Sequence, residues 1–187
     1  MSTEGAAVIT LMGQMRGLFR ETALLLKTAD DYMKSARWKL RSNQCVTLRT
    51  VPEDPAYWFP EYAFRFYVSE HHRSILAFLS AIFDDRSDNG RIVEPLLTGG
   101  WHDFGAGSDA AVEQYNANYA SWHPHMPDRR DDGTLISVDP RQKWPEDKYK
   151  IIRTTTMAVP LVEITKPDDL KTRVIDPLLL GIRGAAS

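Results

Sequence analysis

All five histidines lie between positions 71 and 125, and two groups of them could hold a metal ion. One group is His102 with Asp103, and the other is His123 with His125. Histidines one residue apart on an extended segment point the same way. His123 and His125 could therefore share an ion, with His102 or Asp103 as a third ligand. A water in the open position could attack a carbonyl or phosphoryl centre, which is the chemistry of a metal-dependent hydrolase.

The same residues also have a structural interpretation. Each group begins with a Trp-His pair, Trp101-His102 and Trp122-His123, which could close a loop over the core with the indole ring buried. The spacing of the histidines matches none of the strong zinc signatures. We therefore expect no cofactor, and zinc or manganese would be the metal to look for if a site forms.

Aromatic side chains outside the regular elements are the second set of candidates. Five tryptophans are many for a chain of this length, and loop-borne tryptophans anchor interfaces and ligand pockets. The candidate binding residues are Trp58, Trp101 and Trp122, together with Tyr67 of the predicted strand over 62–68, which could line a ligand pocket with Trp101 and Trp122. The alternative is that these rings seal the loops against the sheet.

The first forty residues are the clearest element that could position such a site. With Val8 at heptad position a, nearly all a, d and e positions are apolar as far as Leu40. A stripe of three positions in seven is typical of a helix that packs on a core. The pattern predicts one long amphipathic helix over 1–42. A break near Asp30 is the alternative, because Thr28 and Asp31 resemble a capping box.

Strand patterns follow this helix. Short alternating runs over 45–50 and 62–68 predict strands. The apolar run over 74–83 fits either a strand or a helix, and the short connector before it favours a hairpin. The segment 149–164, rich in isoleucine, valine and threonine, predicts one long strand.

Between the strands, 84–148 is predicted to be a loop-rich insertion, since glycine and proline recur throughout it. Its glycine-rich part, 98–107, is expected to be a flexible loop. A closing helix should begin near Thr165, with Asp168 completing a capping box. It should bury four apolar residues, which are Leu170, Val174, Leu178 and Ile182. The whole order predicts a single α+β domain over 1–187, with a mainly antiparallel sheet and the C-terminal helix packed on it.

Composition limits the partners. The formal net charge is −2, so no bulk positive field favours nucleic acid. The longest apolar run is far below the roughly 20 residues that span a bilayer, and we see no secretory signal. The single cysteine, Cys45, fits a reducing compartment. We expect a soluble, cytoplasmic protein.

The sequence leaves three classes of function open. The first is a non-catalytic interaction or accessory subunit, which would bind another protein or a second copy through the N-terminal helix and the aromatic loops. A helix this long could extend beyond a small domain's own core. The alternative is the metal-dependent hydrolase described above. The third is a sensor that holds a small ligand between the sheet and the insertion.

Overall fold

The architecture is of the α+β class, as predicted, with an N-terminal helix, a six-stranded antiparallel sheet and a C-terminal helix packed on that sheet. The computed structural model describes residues 3–42, 62–83, 94–105, 132–138 and 151–185. The strand predicted over 45–50 lies outside these residues.

Helix α1 runs without interruption from Thr3 to Ser35, so the alternative of a break near Asp30 is wrong. Its 33 residues span about 50 Å at roughly 1.5 Å per residue. The Thr28 hydroxyl does not cap a new helix. It donates to the Leu24 carbonyl oxygen at 3.0 Å, one turn back in the same helix.

The helix ends at Ser35 rather than at position 42, which corrects the predicted boundary. Arg37 adopts a left-handed conformation with φ 66°, and the Trp38 N–H donates to the Met33 carbonyl oxygen at 2.9 Å. These are the features of a Schellman motif, which terminates a helix and reverses the chain. The reversal allows Lys39–Leu40 to form strand β1, although the heptad pattern extends through both residues.

In the described residues six strands form one sheet in the order β1-β2-β3-β4-β6-β5, and every neighbouring pair is antiparallel. After β1 these are β2 (Tyr62–Val68), β3 (Ile75–Ile82), β4 (Leu96–Asp103), β5 (Ile136–Val138) and β6 (Arg153–Pro160). Strands β2 and β3 form the predicted hairpin, with Phe66 opposite Phe78. The strand interpretation of 74–83 is therefore confirmed.

The predicted insertion over 84–148 contains β4 and β5, and the prediction of a flexible loop over 98–107 is wrong for its first half. Strand β4 pairs with β3 and β6 along its full length. Its glycines serve close packing: a Cβ added at Gly100 would lie 2.2 Å from the Thr155 carbonyl oxygen and 2.6 Å from the Phe78 ring. A glycine in a strand often marks such an approach.

Both helical elements pack on one face of the sheet. In the strands this face presents Tyr67, Ile75, Ala77, Leu79, Ala81, Leu97, Trp101, Met157 and Val159; the helical elements contribute Ala29, Met33, Leu170, Val174, Ile175, Leu178 and Ile182. The four residues predicted to be buried by the closing helix all belong to this cluster. The opposite face carries a second cluster of Phe64, Phe66, Leu76, Phe78, Phe104 and Ile151.

The C-terminal helical segment follows β6, which ends at Pro160 rather than near position 164. A 3-10 turn, Leu161–Glu163, leads to helix α2 (Pro167–Leu170), a π turn (Lys171–Ile175) and helix α3 (Asp176–Ala185). The carboxylate that caps this segment belongs to Asp169 rather than to Asp168 and accepts from the Thr165 and Lys166 N–H groups. The π turn lies just before Pro177, whose ring and missing N–H disturb the preceding turn of an α-helix.

Candidate functional site

The first half of helix α1 exposes a row of apolar side chains. We define the α1 stripe as Val8, Leu11, Met12, Met15 and Leu18. Val8 is 60% exposed, Leu11 57%, and Met12 and Leu18 40% each. Monomeric proteins rarely leave large contiguous apolar patches in water, and such patches often mark binding sites.

The α1 stripe continues the face that the second half of the helix buries. Val8, Leu11 and Met15 each lie about five turns before a buried residue, at 3.6 residues per turn, and so share its face. Their counterparts are Leu26, Ala29 and Met33, which are 2%, 0% and 0% exposed. The helix therefore extends beyond its own core and carries its core-facing side with it.

The transition between the two halves lies at Phe19 and Thr22. The Phe19 ring packs edge-on against Phe83 at 5.5 Å between centroids, just after β3. Thr22 is 4% exposed, and its hydroxyl donates to the Leu18 carbonyl oxygen at 2.9 Å. That bond satisfies the hydroxyl inside the helix, which is why a polar residue can enter the core here.

A groove borders the α1 stripe, between α1 and the segment that links β6 to α2. The α1 groove has a volume of about 340 Å³ and includes Leu18, Thr22, Leu25, Leu161, Val162, Ile164 and Lys166 among its lining residues. One of these residues, Leu18, also belongs to the α1 stripe, and another, Thr22, lies at the transition between the two halves of α1. Val162 is 65% exposed, so the apolar surface continues across the groove.

Charged residues of both signs lie around this surface. Glu4 stands in the first turn of α1, whereas Arg16 and Arg20 follow beside the α1 stripe, and all three are exposed. At the groove, the Lys166 ammonium lies 4.0 Å from the Asp169 carboxylate and is 66% exposed. Glu21 lines the same groove and is exposed, so acidic and basic groups are interspersed around this surface.

A partly buried polar contact holds the second half of α1 to the sheet. The Tyr67 hydroxyl donates to Asp30 Oδ1 at 2.8 Å, and Arg65 Nε donates to Asp30 Oδ2 at 3.3 Å. Burial first, and then the neighbouring Asp30 carboxylate, raise the pKa of Tyr67 above its ordinary value. Tyr67, a candidate binding residue, is 0% exposed and packs in the core.

His102 lies on the face of the sheet opposite the helices. It is 0% exposed, its Nδ1 is 2.8 Å from the Thr154 hydroxyl, and its ring lies 4.9 Å from the Phe78 ring. Burial lowers the pKa of His102 to about 3, since the charged form loses its hydration. The imidazole is therefore neutral at pH 7.

Asp103 points to the other face, because neighbouring side chains alternate along strand β4. Its carboxylate accepts from the Gly105 N–H at 2.9 Å and lies 3.7 Å from the Arg153 guanidinium. The side chains of His102 and Asp103 therefore lie on opposite faces of the sheet. In the described part of the chain, no three potential metal ligands come together.

His123 and His125 lie outside the described residues, and the metal site that includes them stays a prediction. Trp58 and Trp122 lie outside them as well. Trp101, the remaining aromatic candidate, is 4% exposed and packs in the helix-face core. A Cβ added at Gly181 of α3 would lie 2.8 Å from the Trp101 ring. That contact is between the sheet and the C-terminal helix.

The groove residues were not among the sequence candidates. Val162 and Lys166 line it because the 3-10 turn and the start of α2 lie beside α1, and a contact between the two ends of the chain leaves no periodic signal in either. The stripe residues, by contrast, belong to the heptad pattern itself.

Comparison of the chain with protein-family models, curated proteins and solved structures gave no match. Across the described ranges, no helix combines the length and apolar character needed to cross a membrane.

Proposed function

We propose that this chain is an interaction or accessory subunit that binds a partner protein through the α1 stripe. One observation carries the proposal: the core-facing side of helix α1 continues past the core and stays exposed. Transfer of apolar surface out of water contributes roughly 25 cal/mol per Å², so covering this side would favour association. The aromatic residues Trp58 and Trp122 belong to the same proposal as further contacts.

The geometry of the stripe supports a helix-binding or groove-binding partner. Apolar residues at helical spacing lie on one face of a helix, and partner proteins bind such residues as anchors. The stripe is carried by a helix whose second half is held in the core, through Ala29, Met33 and the Asp30–Tyr67 hydrogen bond. A partner would therefore meet a surface that is already ordered, which lowers the entropic cost of binding.

The cytoplasm is the compartment that we propose, with Cys45 as its support. A chain with one cysteine forms no internal disulfide and has nothing to gain from an oxidising environment. Fractionation of host cells with an antibody to the native protein would test this location, and recovery from a secreted fraction would contradict it.

Affinity capture from host cells tests the proposed function, using Leu11→Asp against the matched control Ile9→Asp. Both residues are exposed, at 57% and 61%, but Ile9 lies about 160° around the helix from Leu11. A carboxylate in the buried centre of an interface should cost at least about 2 kcal/mol, roughly 30-fold in affinity.

We expect the wild-type chain and Ile9→Asp to retain the same protein, quantified by mass spectrometry, and Leu11→Asp to lose it. Circular dichroism should show equal helix content in the three proteins. If the wild type and both variants captured every host protein equally, the proposed function would be contradicted.

A further inference from the structure

The α1 groove has the size and the lining of a small-molecule site. Its volume of about 340 Å³ lies within the range of ligand pockets, roughly 300–1,000 Å³. Apolar side chains line it from both sides: Leu18, Leu24 and Leu25 of α1, and Leu161, Val162 and Ile164 of the linking segment. We propose that this groove binds a small aliphatic amine, with its ammonium group at Glu21 and its alkyl chain along α1. The inference goes beyond the proposed function, which concerns the α1 stripe.

The groove extends from the protein surface to the core. Two of its lining residues, Thr22 and Leu170, are only 4% and 1% exposed. Two others, Leu24 and Val162, are 53% and 65% exposed. An alkyl chain in the groove would contact the buried pair and cover the exposed pair. Removal of both apolar surfaces from water favours binding of the chain.

The charges that line the groove favour a cation at one point. The Lys166 ammonium already pairs with the Asp169 carboxylate at 4.0 Å, so these two charges balance each other. Glu21 also lines the groove and has no ion pair within the described part of the chain. An ammonium group beside Glu21 would complete such a pair, whereas a carboxylate there would be repelled.

The hydroxyl groups of the groove favour a ligand that donates hydrogen bonds. Thr22 and Thr28 donate to carbonyl oxygens of their own helix at 2.9 and 3.0 Å, and Thr165 donates to the Asp169 carboxylate at 2.9 Å. A hydroxyl has one hydrogen to donate and two lone pairs that accept. These three groups can therefore still accept from a ligand but have no hydrogen left for it. An ammonium group has three donors and no acceptor.

The position of Glu21 limits the length of the alkyl chain. From Glu21 to Thr28, the last lining residue on α1, the helix rises about 10 Å at roughly 1.5 Å per residue. An extended alkyl chain advances per carbon by slightly less than a C–C bond, which is about 1.5 Å long, so a chain of about eight carbons fits this distance. Further carbons would leave the groove and gain little.

Methyl NMR on the full chain tests the site, with labelled leucine, valine and isoleucine side chains. The probes are octylamine, which is charged at pH 7 as lysine is, 1-octanol and octanoate, all below micelle-forming concentrations. We expect octylamine to shift the methyl signals of Leu25, Val162 and Ile164 and to leave those of Val8 and Leu11 in place. Octylamine should bind about 5-fold more tightly than 1-octanol, and octanoate more weakly than either.

Glu21→Gln tests the ammonium position, with Glu4→Gln as the matched control. Both substitutions remove one exposed carboxylate from α1, but only Glu21 lines the groove. Glu21→Gln should raise the dissociation constant of octylamine about 5-fold, to that of 1-octanol, and leave 1-octanol binding unchanged. Glu4→Gln should change neither.

A series of alkylamines tests the position of the chain. Each added methylene should lower the dissociation constant about 4-fold, up to about eight carbons, and have little effect beyond that length. Thr28→Trp should fill the end of the groove and abolish the gain from the longer chains. Ala23→Trp is the matched control, since Ala23 is exposed and lies about 140° around the helix from Thr28.

Three results would overturn the inference. They are the absence of methyl shifts with octylamine, shifts in the α1 stripe instead of the groove, and equal affinities for octylamine and octanoate. The proposed function is tested separately, because Leu11 belongs to the α1 stripe and Leu11→Asp should bind octylamine as the wild type does. Failure of either experiment therefore leaves the other conclusion standing.

Discussion

The two halves of helix α1 have the same apolar pattern and different surroundings. Met33 is 0% exposed in the core, whereas Met15, on the same side about five turns earlier, is only half-buried. Leu26 and Val8 form a second such pair, at 2% and 60%. An amphipathic pattern therefore predicts that a face will be covered, and it does not say by what. The two halves differ because the sheet and the C-terminal helical segment lie against the second half.

The exposed half also depends on the buried half for its helical form. Isolated helices shorter than about 12–15 residues are marginal in water, because nucleation is costly. The buried half supplies that nucleus, since its core contacts and its Schellman end hold it in place. The helix can then extend into the exposed half, where each further residue adds one backbone hydrogen bond. A binding surface can be ordered in this way without a core of its own.

The largest expected difference between the halves comes from truncating the paired methionines. Met33→Ala should lower the free energy of unfolding by about 2–4 kcal/mol, through lost burial and the cavity that remains. Met15→Ala should change it by less than about 0.5 kcal/mol, as for other surface positions. Denaturant unfolding at low protein concentration measures both. If both substitutions lowered the free energy of unfolding equally, Met15 would be part of the core, and the contrast between the two halves of α1 would be wrong.

Removal of the Tyr67 hydroxyl should weaken only the buried half. Tyr67→Phe deletes the bond to Asp30 and should cost about 1–2 kcal/mol of unfolding free energy. Because the folded pKa is raised, the wild type should keep this contribution below about pH 10 and lose it as the pH rises further, when tyrosine ionises in the unfolded chain. Tyr67→Phe should not show that loss. An identical alkaline profile for both proteins would contradict the assignment.

Mild acid should affect the sheet core around His102 and the exposed half of α1 differently. The pKa of His102 is lowered to about 3 in the folded protein, so its stabilising contribution is complete above about pH 6.5 and falls as the pH decreases. The loss approaches about 1.4 kcal/mol per pH unit. Titrating the free energy of unfolding should show this slope in the wild type, and a smaller one in His102→Gln.

Association through the α1 stripe should change little over the same pH range, because the described half-helix that carries it contains no histidine. Affinity capture between about pH 7 and 5.5 would measure this, over the interval in which the histidine of an unfolded chain becomes charged. Loss of binding in parallel with loss of core stability would contradict this prediction.

The smallest effect is expected at Gly13 in the exposed half. A Cβ there meets nothing within 4 Å, and alanine favours a helix over glycine by roughly 0.5–1 kcal/mol. Gly13→Ala should raise helix content at low temperature, measured by circular dichroism, without changing the core. Gly100→Ala is the contrasting control, because its Cβ would meet the Thr155 backbone at 2.2 Å, and it should destabilise strongly.

Much of the fold follows from local pattern. The α1 heptads, the β2–β3 hairpin and the buried row of the closing helix could all be predicted, since each repeats with the period of its element. Strand β4 could not, because Gly99 and Gly100 are typical of loops and are used here for the approach of Leu79, Met157 and Phe78. The end of α1 was also missed, since Arg37 carries no glycine-like signal for a left-handed residue.

The candidate site shows the same limit. Once β4 is known to be a strand, alternation alone places His102 and Asp103 on opposite faces. The sequence pattern offered either residue as the third ligand beside His123 and His125, because a loop was expected there. The α1 stripe was predictable as an apolar face, but its exposure depends on where the sheet stops, beside Phe83 and Thr22. That boundary is a tertiary property.

The short outer strands of the sheet have a consequence for how copies of this chain can meet. Strand β1 has two residues and β5 has three, and long unpaired strand edges are the usual templates for irreversible aggregation. Within the residues that the structure describes, these edges offer little backbone to an incoming chain. Crowding should therefore give reversible contacts between side chains rather than growing fibrils, so the protein should remain recoverable by dilution.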